Sequence, residues 1–133
     1  MAYVGIASHR PGSRRTLRQR LRNHCAGPIA TSTLRRSLAA ILRNELNLNP
    51  SLGSGDKIRL PKIDEKRLTD WLKGHGRVAW ICNATPWVQE DALLRQGPRL
   101  ALNIRGNTHE FVPELVARRA QFVDIAKAGA RSC

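Results

Sequence analysis

The chain has 133 residues, with 23 Lys+Arg against 10 Asp+Glu and a formal net charge of +13. With 41% hydrophobic residues, one domain of this length buries roughly two thirds of its unfolded surface, which excludes intrinsic disorder and any need for disulfide or metal staples. No apolar run approaches the roughly 20 residues that span a bilayer, the start does not read as a secretory signal, and Cys25, Cys82 and Cys133 form neither a C-x-x-C pair nor a disulfide framework, so a cytoplasmic protein without membrane contact is expected.

Tyr3 to Ala7 is a short β-branched and aromatic run that reads as a strand, followed by a Ser, His, Arg, Pro and Gly loop. Ser13 is placed to cap a helix from about Arg14 to Cys25, in which Leu17 and Leu21 recur at i and i+4 before Gly27-Pro28 closes it. A second helix begins at Thr33 behind Ser32 or Thr31, sets Leu34, Leu38, Ile41 and Leu42 on one face, and ends between Leu46 and Pro50. Pro50 to Gly55 is loop-like, and Ile58 to Leu60 is a short extended piece. Asp64 is then expected to cap a third helix with Leu68, Trp71 and Leu72 inward, stopped by Gly74-His75-Gly76.

Arg77 to Cys82 reads as a buried strand. Thr85 as N-cap, Pro86 at the first helical position and Gly97-Pro98 as stop frame a fourth helix. Leu100 to Arg105 is irregular or extended, and a final helix runs from Pro113 to about Lys127 with Leu115, Phe122 and Val123 packed. These elements predict an α+β fold: a small, mainly antiparallel sheet with strands near 3–7 and 77–82, flanked by about five helices. Residues 1–105 form the main unit and 106–133 a helical extension packed on the same domain.

The charge is uneven. No Asp or Glu precedes Glu45, whereas Arg10, Arg14, Arg15, Arg18, Arg20, Arg22, Arg35, Arg36 and Arg43 do. Arginine suits phosphate oxygens because its planar fork donates two parallel hydrogen bonds, so Arg14, Arg15, Arg18, Arg22, Arg35 and Arg36 are candidates to grip nucleic acid. No aromatic residue lies between Tyr3 and Trp71, and a basic region without stacking platforms favours contact with backbone phosphates over single-strand binding. The competing reading is a solvated, solubilising surface.

Two polar residues fall in apolar places. At about 100° per residue, His24 lies roughly 20° and Arg20 roughly 60° from Leu17, on the seam that packs, while the other arginines spread beyond Leu21. On the fourth helix Glu90 falls between Leu93 and Leu94, and a partly buried carboxylate needs a partner such as Arg20, Arg77 or a divalent cation. Arg20 and Glu90 as a structural ion pair is the plain alternative. Together, an Arg, an inward acid and a His provide what phosphodiester hydrolysis requires: charge stabilisation on phosphate, an oxygen ligand for a hard cation, and a group to place water.

In this order the residues resemble the GIY-YIG nuclease family. Tyr3-Val4-Gly5 stands where the second triplet stands, followed by Leu17-x-x-Arg20-Leu21-x-x-His24, Glu90-x-x-Leu93-Leu94, and Asn103 in Leu100-Ala101-Leu102-Asn103. The resemblance implies a metal-dependent endonuclease acting on DNA ahead of RNA. In it Glu90 would bind one Mg²⁺ or Mn²⁺, Arg20 would stabilise the scissile phosphate, Tyr3 and His24 would orient or activate water, and Asn103 would hold the site together.

The family's first triplet, whose Tyr is often assigned as general base, has no counterpart ahead of Tyr3. The start lies upstream, the protein is degenerate, or another residue takes the base role, with His9 and His24 as candidates. A sheet without that strand presents an exposed edge open to a second copy. The alternative function is a catalytically impaired protein that binds nucleic acid through its Arg-rich first two helices.

Overall fold

A computed structural model of the chain describes residues 3–7, 12–96 and 100–131, and the side chains of all of these except Arg131. It is α+β, with five α-helices and one two-stranded antiparallel sheet among the described residues. In chain order the elements are α1 (Leu17–Ala26), α2 (Thr33–Ile41), β1 (Ser51–Leu52), β2 (Ile58–Arg59), α3 (Lys62–His75), α4 (Pro86–Gln96) and α5 (Val112–Arg131).

Local chemistry sets most of these boundaries. Thr16, rather than Ser13, caps α1, because it forms a reciprocal box with Gln19: the Thr16 side chain accepts from Gln19 N and the Gln19 side chain from Thr16 N. Ser32 caps α2 by accepting from Arg35 N at 3.2 Å. Helix α3 starts at Lys62 behind Pro61, ahead of the expected Asp64 cap. The Asp64 carboxylate, 1% exposed, accepts from Asn49 N and pairs with Arg67, tying the turn after α2 to α3.

Both strands lie where the sequence suggested loop and short extended chain. Ser51 pairs with Arg59 and Leu52 with Ile58 across a tight hairpin. Gly55, at φ +67°, supplies the left-handed residue that this reversal needs.

The expected strands at 3–7 and 77–82 are not formed. Each has strand composition, but a strand requires a neighbour to receive its backbone groups, and neither joins a ladder with any described residue. In the second segment Val78, Trp80 and Ile81 are 51%, 63% and 64% exposed instead of buried.

The core forms where α2 packs on α5, with α3 and the hairpin closing around it. Leu38 and Ala39 of α2 and Leu42 at its C-cap join Phe122 and Ala126 of α5, Leu68 of α3, and Ile58 and Leu60 of the hairpin segment in one cluster. Because α5 shares this core, the C-terminal helix is part of the domain's packing. Helix α4 contributes no buried residue.

One buried cation joins the helices that carry the site. Arg35, expected on the nucleic-acid face, is 0% exposed and faces inward. Its guanidinium pairs with Glu65 of α3 at 2.8 Å and donates to Cys25 O at the end of α1, Glu65 O and Thr69 Oγ1. The other Glu65 oxygen accepts from Ile29 N at 2.8 Å. A charge this deep is tolerated because its hydrogen bonds are largely satisfied; in this position it fixes α1, α2 and α3 to one another and is not available to a partner molecule.

Candidate active site

The segment carrying Tyr3 is held by a side chain in place of a strand. Asn103, 9% exposed, accepts from Val4 N and donates to Val4 O, both at 2.9 Å. This is the hydrogen-bond pattern that a neighbouring backbone would offer. Asn107 braces Asn103 in turn, donating to Asn103 O at 2.7 Å.

Two residues on, Gly5 leaves room for the Tyr3 ring to fold back. A Cβ at Gly5 would lie 2.9 Å from Tyr3 Cε1 and 3.2 Å from the hydroxyl oxygen. The ring thereby meets His24 edge-to-face, with centroids 5.3 Å apart and planes at 73°.

His24 is 7% exposed and the only buried residue of α1, as its angular position relative to Leu17 predicts. Its Nδ1 is 2.7 Å from Ser32 Oγ, while its buried Nε2 has no hydrogen-bond partner. Burial, followed by the Arg20 guanidinium one helical turn away, lowers its pKa from 6.5 to about 4. The ring is therefore neutral near pH 7. Arg20 is half-buried, no described carboxylate pairs with it, and its Nε is a buried donor without an acceptor.

Ser32 is the neighbour of His24 that the sequence conceals. It reads as a helix cap, and it is one, but its contact with His24 eight residues earlier is tertiary and leaves no periodic signal. His9, the other candidate base, lies outside the described residues.

Glu90 is half-buried on α4, as its place between Leu93 and Leu94 implies. The expected pairing with Arg20 or Arg77 is not formed: Glu90 has no ion pair or hydrogen bond with any described residue, and Arg77 is exposed and donates to Gly76 O. The structure thus brings Tyr3, Arg20 and His24 together, with Asn103 behind them, and leaves the Glu90 carboxylate unengaged.

No group of three or more His, Cys, Asp or Glu that could hold a metal occurs among the described residues. A hard divalent ion at Glu90 would take its other oxygen ligands from water and substrate, a donor set that suits Mg²⁺, which retains several waters and binds protein through one or two carboxylates.

Around this cluster Arg14, Arg15, Arg18 and Arg22 are all exposed, and Arg36 is half-buried. A family model described as GIY-YIG catalytic domain matches residues 1–121. No curated protein and no solved structure matches the chain.

Proposed function

The chain belongs to the GIY-YIG catalytic-domain family, a nuclease family acting on nucleic acid, and on that premise we propose that it is a metal-dependent endonuclease hydrolysing phosphodiester bonds in DNA. The observation that carries the proposal is the pair of buried nitrogens without hydrogen-bond partners one helical turn apart, Arg20 Nε and His24 Nε2. A buried unmet donor is costly, and a phosphate oxygen would meet both.

Arg20 stabilises charge on the nonbridging oxygens of the scissile phosphate through its planar guanidinium fork. The role of His24 follows from Ser32. That hydroxyl accepts from Arg35 N and keeps one proton to give; donated to His24 Nδ1, it selects the tautomer with the ring proton on Nε2. His24 then acts as a neutral hydrogen-bond donor, and placing water falls to the Tyr3 phenol beside it.

Glu90 is the residue that would hold one Mg²⁺ or Mn²⁺, which when bound polarises a phosphoryl oxygen and acidifies water. The water oxygen bonds to phosphorus while one ester P–O bond breaks and the departing oxygen takes up a proton. Exposed Arg14, Arg15, Arg18 and Arg22 hold the duplex through its backbone.

The test is incubation of the purified chain with supercoiled plasmid in Mg²⁺, Mn²⁺ or EDTA, beside Glu90→Gln. Nicking should require metal and fall at least ~10²-fold in the variant, with DNA binding retained. Equal nicking by both proteins would place the chemistry elsewhere. Absence of nicking by either would favour a binding-only protein, a reading supported by the lack of any Glu90–Arg20 pair and by a helix α4 that buries no side chain.

A further inference from the structure

The seam between α2 and α5 contains an arrangement that folding alone does not explain. Leu115, Phe122 and Ala126 mark the buried face of α5, and Arg119, four residues after Leu115 and three before Phe122, falls on that same stripe. Helix α5 packs on α2, and across that seam Arg119 feels the charge of another arginine, Arg36. The two guanidinium groups are both half-buried.

Arg36 Nη2 donates to Ala30 O at 3.1 Å, but its buried Nε has no acceptor. Arg119 has no hydrogen bond or ion pair with any described residue. The nearby Glu114 carboxylate is engaged by Arg118, one turn earlier than that arginine on the same helix. Burial and then the charge of Arg36 depress the pKa of Arg119. Two like charges in a partly dry seam destabilise it unless an anion enters.

We propose that Arg36 and Arg119 form a second phosphate site, which takes a backbone phosphate of the nucleic acid away from the bond being cut. The chemistry is that of a phosphodiester held by two planar forks, each able to give parallel hydrogen bonds to its oxygens. The site is tied to the pocket through α2: Arg36 lies one turn after Ser32, the residue bonded to His24, about 6 Å along the helix axis. The identification of the phosphate as a nucleic-acid phosphate rests on the nuclease reading; the anion site itself does not.

The experiment has two arms. In the first, melting temperature is followed with inorganic phosphate or chloride at equal ionic strength. The wild type should gain stability from phosphate. Arg119→Met should melt higher than wild type without phosphate, because the like-charge repulsion is relieved, and should gain less from phosphate than wild type does, the remainder belonging to the Arg20–His24 pocket. In the second, duplex DNA binding is titrated against salt in the Glu90→Gln background, where adding Arg119→Met should flatten the slope of log affinity against log salt by about one unit.

Arg36→Gln is the companion variant should Arg119→Met fold poorly, and the same losses are expected from it. A phosphate response and a salt slope unchanged by the substitutions would overturn the site. A diminished phosphate response with an unchanged slope would overturn its assignment to nucleic acid. If plasmid is never cut but both effects appear, the hydrolytic reading fails while this site stands.

Discussion

The junction of α1, α2 and α3 and the stretch from 77 to 96 handle their side chains in opposite ways. At the junction an arginine is 0% exposed, while in the second region Trp80 and Ile81 are 63% and 64% exposed. Residue type alone would reverse these positions. Partners account for the difference: Arg35 finds a carboxylate, two carbonyls and a hydroxyl within hydrogen-bond reach, whereas residues 77–82 have strand composition and no described strand beside them. At these two places burial follows the supply of complementary groups and not hydropathy.

The contrast bears on the site, because Tyr3, Arg20 and His24 belong to the tightly joined part, while Glu90 rides on α4. The sharpest way to break the comparison is Arg35→Met. It leaves Glu65 charged and without its cation, and should cost about 3–5 kcal/mol in urea unfolding. If it costs less than about 1 kcal/mol, the junction is not organised around this residue.

Next in size is the response to acid. The pKa of His24 is about 4 when folded and 6.5 when free, so the unfolded chain takes up a proton first as pH falls. Stability from this residue is complete above pH 6.5 and is lost between pH 6.5 and about 4, in all about 3 kcal/mol. Unfolding curves across that window, compared with His24→Gln, should isolate the effect, and a wild type that tracks the variant would show that the ring is more hydrated than its burial implies.

The smallest effect sharpens the other half of the comparison. Trp80→Ser should change unfolding free energy by no more than about 0.5 kcal/mol, as expected for a side chain with little to lose. A loss matching that of Arg35→Met would mean that 77–82 is covered in solution.

Local signals explain what could be read from the chain beforehand. The Ser32 and Pro86 helix starts are written in adjacent residues, and helical periodicity was enough to turn His24 toward the interior and Glu90 partly so. Ser13 and Thr16 are both able to cap, and the side chain of Gln19 decides for Thr16. Arg35 was misplaced because its neighbours in sequence are polar or charged, whereas its neighbours in space come from α1 and α3. The Ser32–His24 contact and the Arg36–Arg119 encounter are likewise products of packing, with no signature in spacing.

The clasp between Asn103 and Val4 joins residues 99 positions apart in the chain. During synthesis the tyrosine leaves the ribosome well ahead of its fastener, so a nascent chain short of residue 103 carries its arginines without a finished pocket. Contacts this distant form late, after the loop between them has been closed. A pocket assembled in this way is complete only once the chain has been made beyond its clasp.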